Sequence, residues 1–160
     1  MRINEIAVAR GQRASISLRV NPDVDAGTHP YISTGLKENK FGIASAEALS
    51  VYQSAATMPG IKIVGIDCHI GSQLTSVEPF LDAIDKLLEL VDELAKMNIT
   101  LEHFDMGGGL GVTYADEEPP QPDELINAVR GRFESRGLKL MVEPGRSIAA
   151  NAGIFLTTVE

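Results

Sequence analysis

Ile61-Lys-Ile-Val-Gly-Ile-Asp-Cys-His69 is a short apolar run, and Ile70-Gly-Ser-Gln73 closes it with a glycine and polar residues. Its length and β-branched content mark a strand. Alternation puts Ile63, Gly65, Asp67 and His69 on one face and Cys68 on the other, which is expected to pack under helices. Thr75-Ser-Val-Glu78 has the form of a capping box. It opens a long helix with Phe80, Leu81, Ile84, Leu87, Leu88, Val91 and Leu94 at helical spacing, ending near Asn98. Residues 101–106 are predicted as a third strand and run into Gly107-Gly-Gly-Leu-Gly111. A strand, a crossover helix and a second strand make a parallel βαβ unit, and that unit decides the fold class.

The same alternation extends in both directions. Upstream, residues 14–20 are strand-like, with Ile16, Leu18 and Val20 on one face, and Asn21-Pro-Asp23 ends them. Residues 46–57 are predicted helical with Ser45 as cap. Residues 2–10 carry Ile3, Ile6 and Ala7 at helical spacing and stop at Gly11. Downstream, Pro122 and Asp123 suit the first turn of a helix running to 136, with Gly137 as its stop. Residues 138–142 are predicted as a fourth strand and 154–159 as a fifth.

This order means an α/β fold with a mostly parallel sheet and right-handed crossovers. Two architectures fit: a complete doubly wound domain, or part of a (β/α)₈ barrel, which needs about 250 residues. The pattern starts in what reads as the tail of a helix and stops inside a strand pattern. The expectation is therefore a partial barrel from a larger enzyme.

The 160 residues carry 14 basic and 22 acidic side chains, a net charge of −8, which argues against nucleic acid or an anionic membrane as partner. No apolar run reaches the roughly 18 residues of a membrane span, and the first residues lack the apolar stretch of a signal peptide. The single cysteine cannot form an internal disulfide, so nothing points to an oxidising compartment, and a cytoplasmic protein is expected.

In parallel α/β folds, ligands bind at the C-terminal ends of the strands. Three consecutive strands here end in His69-Ile-Gly-Ser-Gln73, Gly107-Gly-Gly-Leu-Gly111 and Glu143-Pro-Gly-Arg146. The glycines would let backbone N–H groups approach an anion, or serve a tight turn. The spacing is neither a Walker A loop nor GxGxxG. Ser72 could add a hydroxyl to the same anion or simply be a turn serine. Arg146 could pair with a phosphate or carboxylate, or lie solvated at the surface. Glu143 needs a cationic partner, either a protonated ring nitrogen or an arginine such as Arg19. His69 could act in acid–base chemistry or stack flat on a ring. A metal is not expected, because no second His or Cys stands at ligand spacing. His29 and His103 are expected to be structural or superficial. A glycine loop, a carboxylate, an arginine and an imidazole on one rim match what a pyridoxal phosphate site requires.

Together with Arg19-Val-Asn-Pro22, Thr28-His-Pro-Tyr-Ile-Ser-Thr-Gly35, Lys40-Phe-Gly-Ile43 and Ser147-Ile-Ala-Ala-Asn-Ala-Gly153, these motifs closely resemble the diaminopimelate decarboxylase family of fold-type III, alanine-racemase-like pyridoxal phosphate enzymes. The resemblance covers essentially the whole chain. It implies that His69 stacks on the cofactor ring and that Ser72, Gly108 and Gly109 hold its phosphate. Glu143 would pair with the pyridine nitrogen. Gly145 and Arg146 would complete the phosphate cradle, Arg146 would also reach an amino-acid substrate, and Arg19 would support the site near Glu143. It implies a homodimer in the complete enzyme.

None of Lys37, Lys40, Lys62, Lys86, Lys96 and Lys139 matches the family's Schiff-base lysine, and the family's C-terminal β-domain is not recognised. The expected place of residues 1–160 is thus the central part of the cofactor-binding barrel, inactive alone. Arginine, ornithine or carboxynorspermidine decarboxylases, and a non-catalytic barrel that binds the same cofactor, remain alternatives at this stage.

Overall fold

The computed structural model describes residues 1–24 and 41–159. His29, Lys37, Lys40 and the 28–35 motif therefore lie outside the described residues. The element order is α1 (Arg2–Ala9), β1 (Ala14–Asn21), β2 (Ile43–Ala44), α2 (Ser45–Ala56), β3 (Ile61–Asp67), α3 (Glu78–Lys96), β4 (His103–Asp105), α4 (Pro122–Arg130), β5 (Lys139–Met141) and α5 (Gly145–Ala149).

All strands pair in parallel, in the order β2-β1-β3-β4-β5. From β1 to β5 that order advances with the chain, apart from the two-residue β2 on the far edge of β1. A doubly wound sheet is covered by helices on both faces, whereas a barrel keeps its helices outside, and here α2, α3 and α4 share one core on one face of the sheet. The partial (β/α)₈ barrel, and not the doubly wound domain, is the architecture found.

One sheet face is apolar and covered by helices. Val20, Ile66, Cys68, Phe104 and Met106 share a core with Ala48 and Tyr52 of α2, Phe80, Ile84, Leu87, Leu88 and Leu94 of α3, and Leu125 and Val129 of α4. The helical positions recur every three or four residues, so each helix lays a single stripe on the sheet. Cys68 is buried there, as alternation required. Tyr52 anchors α2 by donating its hydroxyl to the carbonyl of Gly65 at 2.9 Å. The opposite face carries Ser17, Arg19, Asp67, His103 and Asp105. His103 lies over Gly65, where a Cβ would stand 2.1 Å from its Nε2.

Several local expectations are corrected. Thr75 does not cap α3: its N-cap is Val77, with no side-chain cap. Instead the Glu78 carboxylate takes the donors of its own backbone, the Ser76 hydroxyl and the Val77 backbone, which hold its pKa down. Ser45 is the first residue of α2 rather than its cap, and Ala44 holds the cap position. The complete capping box is elsewhere, at Gln121 and Glu124, where the Gln121 N–H donates to Oε2 of Glu124 at 2.6 Å. α3 ends in a Schellman motif: Asn98 is left-handed at φ 60°, and the Asn98 and Ile99 N–H groups return to Ala95 and Leu94.

Residues 154–159 form no strand. Ile154, Phe155, Leu156 and Val159 are 82–94% exposed. A strand is stable only beside a hydrogen-bonding partner, and no described strand runs alongside this segment.

Candidate functional site

The hydrogen-bond ladder continues past the strand ends and ties the three rim motifs together. Cys68 N–H donates to the Asp105 carbonyl at 3.0 Å, Met106 N–H to Met141 at 3.1 Å, and Glu143 N–H to Gly107 at 2.8 Å. Leu74 and Leu110 form a further parallel bridge.

His69 sits half-buried at the end of β3. Its Nδ1 accepts the Gly108 N–H at 3.3 Å. Burial first, then the cations of Arg19 and Arg146, hold its pKa below the ordinary value, with Glu143 opposing. The ring is therefore neutral at pH 7, a flat polarizable face rather than a cation.

The glycine loop is wedged between its neighbours. Gly107 has φ 72° and Gly109 φ 111°, conformations that L side chains rarely adopt. A Cβ on Gly108 would lie 2.1 Å from the Glu143 carbonyl, and one on Gly109 2.2 Å from that of Gly71. Asp105 shapes the entry, its Oδ1 accepting the Gly107 N–H at 2.8 Å.

After β5, Pro144 makes a tight turn in which the Gly145 N–H returns to the Glu143 carbonyl at 2.8 Å. The short helix α5 follows, and Gly145 faces open space. Arg146 leaves its Nε buried with no acceptor. Arg19, on β1, lies over the Phe41 ring at 5.4 Å from the centroid and forms no ion pair with Glu143 among the described residues. Ser72 is half-buried in the loop between His69 and Gln73.

His69, Gly108, Gly109 and Glu143 are thus joined through hydrogen bonds and close packing of their loops, with Ser72, Gly145 and Arg146 on the same strand-end segments. Sequence alone does not single out Gln73, whose carboxamide bonds both backbone groups of Val112. Its place next to Ser72 was the only signal available. Among the lysines, Lys62 and Lys139 stand in the first two residues of β3 and β5, at the end away from the glycine loop, and Lys62 pairs with Glu102 at 2.6 Å.

These residues suit an anionic group attached to a protonated aromatic ring. Arg146 offers a buried N–H without an acceptor, Gly145 leaves open space beside its backbone, and the exposed Glu143 carboxylate can face a cationic nitrogen. A cavity of about 270 Å³ beside Gly107 and Gly108, lined by Phe80, Met106, Leu125 and Ile148, is apolar and excludes these polar groups.

A parallel sheet covered by helices on one face, with its polar motifs at the strand ends, is the architecture of barrel enzymes. The chain belongs to the family described as pyridoxal-dependent decarboxylase, pyridoxal binding domain, whose model matches residues 2–150. Within it, the chain is 63% identical over 159 residues to the diaminopimelate decarboxylase of Pseudomonas fluorescens, covering 99% of this chain and 38% of that protein. Diaminopimelate decarboxylase from Helicobacter pylori, solved in complex with L-lysine, superposes with a TM-score of 0.86 at 42% identity, over 91% of this chain and 37% of that one. SrLDC in complex with PLP and cadaverine gives 0.69 at 26% identity, over 91% of this chain and 34% of that one. The chain therefore spans little more than a third of the length of its relatives.

Proposed function

We propose that residues 1–160 are the central β/α units of a pyridoxal 5′-phosphate-dependent barrel. The whole protein would remove CO₂ from the D-centre of meso-2,6-diaminopimelate to give L-lysine. The observation that carries this reading is the hydrogen-bonded convergence of three strand ends, with the Gly108 N–H on His69 Nδ1 and the Glu143 N–H on the Gly107 carbonyl.

The cofactor, when bound, supplies a protonated ring that accepts the electron pair left by CO₂. The chain's own residues do the rest. His69, neutral and oriented by the Gly108 amide, covers one ring face. Ser72, the backbone around Gly108–Gly109, Gly145 and the Arg146 guanidinium would hold the phosphate. Glu143 keeps the ring nitrogen protonated by charge pairing. Arg146 also receives the substrate's carboxylate, and Arg19 tunes the field around His69. The resemblance puts the lysine that carries the cofactor outside residues 1–160, since none of Lys37, Lys40, Lys62, Lys86, Lys96 and Lys139 matches the family's motif.

A cytoplasmic homodimer belongs to the same reading. Among the described residues, no helix is long and apolar enough to cross a membrane.

A chimera tests the assignment. This chain would replace the matching 159 residues of the Pseudomonas fluorescens enzyme. The expected result is CO₂ release from meso-diaminopimelate in preference to lysine, ornithine or arginine. A folded, cofactor-loaded chimera that prefers another amino acid overturns the substrate assignment. Stoichiometric borohydride labelling of a single lysine within residues 1–160 overturns the placement of the cofactor lysine.

A further inference from the structure

Gln73 holds a left-handed backbone, φ 61°. That conformation costs a non-glycine residue about 1 kcal/mol or more and persists only where the surroundings over-determine it. The surroundings here are specific. Gln73 Nε2 donates to the Val112 carbonyl at 2.5 Å, and its Oε1 accepts the Val112 N–H at 3.2 Å. One residue on, Leu74 N–H donates to Gly109 at 2.9 Å, and the Leu74 carbonyl accepts the Gly111 N–H at 2.9 Å. Two residues of one loop thus hold three residues of the other, Gly109, Gly111 and Val112, by four hydrogen bonds, two of them from one side chain.

The clamp adjoins the groups assigned to the ring and the phosphate. His69 receives the Gly108 N–H four residues before it, and Ser72 is its immediate neighbour. The spacing between the loops has no slack, because a Cβ on Gly109 would meet the Gly71 carbonyl at 2.2 Å. A carboxamide is the uncharged side chain that offers both a donor and an acceptor to one backbone unit, as a neighbouring strand would. Glutamate has the length without the donor, methionine has the length with neither strong group, and asparagine is one methylene short.

We propose that Gln73 is a positioning residue. It substitutes for a strand partner of Val112 and so sets the distance between the His69 ring and the amides near Gly108 and Gly109. This role rests on the pyridoxal phosphate reading given above.

The test compares the Pseudomonas fluorescens chimera described above with its Gln73→Met variant, using pyridoxal 5′-phosphate and pyridoxal as probes in equilibrium binding. Loss of two hydrogen bonds that orient the phosphate site predicts about tenfold weaker binding of the phosphate compound, with pyridoxal binding unchanged. A merely structural role would weaken both probes alike or neither. The result that overturns the proposal is a phosphate-to-pyridoxal preference within about twofold of the parent's. If the parent itself shows no preference for the phosphate compound, the cofactor reading falls first, and the positioning role with it. Should Gln73→Met not fold, Gln73→Glu keeps the acceptor for the Val112 N–H, and the readout becomes amide exchange at Gly108, which is independent of ligand charge. Faster exchange there supports the clamp, and unchanged protection overturns it.

Discussion

Nδ1 of His69 and the backbone N–H of Gly108, 39 positions apart in sequence, are joined by a 3.3 Å hydrogen bond at the rim of the sheet. The acceptor has to be an unprotonated ring nitrogen. One bond thereby links the orientation of the imidazole, its charge state and the place of the glycine loop.

Protonation of His69 should loosen that rim. Its folded pKa lies below the ordinary 6.5, through burial and then the Arg19 and Arg146 cations, with Glu143 opposing. The unfolded chain therefore takes up the proton first as pH falls. Stability should be fully present above about pH 6.5 and lost as pH drops through the folded value. Urea unfolding between pH 7.5 and 5, with imidazole NMR to assign the titration, checks this. A His69 that titrates above 6.5 in the folded chain contradicts it.

The glycine loop should tolerate no side chain where it touches its neighbours. Gly108→Ala and Gly109→Ala would place a Cβ within 2.1 and 2.2 Å of backbone carbonyls, and Gly109 also has φ 111°. Each should cost about 2 kcal/mol or more. Gly131→Ala is the control, with φ −60° and nothing within 4 Å of the added carbon. It should be neutral or stabilise by about 0.5 kcal/mol. Denaturation midpoints of the three variants give the comparison.

Asp67 should be a stability liability at neutral pH. Burial, and then the carboxylates of Asp105 and Glu143, raise its pKa above 3.8, against the Ser17 hydroxyl and Arg19, which pull it down. A raised folded pKa means that the contribution is fully present below the unfolded value and lost as pH rises through the folded one. Asp67→Asn keeps an acceptor for the Ser17 hydroxyl, 3.2 Å away, and removes the charge. The variant should melt higher than the parent at pH 7, and the gain should vanish below about pH 3.8. Equal melting temperatures at pH 7 would count against this account.

Sequence alone determined the order of the main elements, α1, β1, α2, β3, α3, β4, α4 and β5. The apolar stripe from Phe80 to Leu94, the alternation through Val64, Ile66 and Cys68, and the glycines at 107–109 are local patterns with a fixed physical period. They sufficed to place His69, Gly108, Gly109, Glu143 and Arg146 at strand ends, and so to propose one rim before any geometry was known. Tertiary structure decided what depends on distant partners. β2 exists because Ile43 and Ala44 meet Val20 and Asn21, and α5 lies beyond the Pro144 turn, where the sequence reading had assigned no element. An apolar run at 154–159 stays unpaired despite a strand-like pattern, because β pairing needs a neighbour that composition does not name. Gln121 caps α4 although Ser, Thr, Asp and Asn are the favoured residues there, and Gln73 reads as one more polar loop residue until Val112 is placed against it. Hydrogen bonds across 39 positions leave no period in the sequence, so the site's residues were legible one by one, and their mutual clamping only in three dimensions.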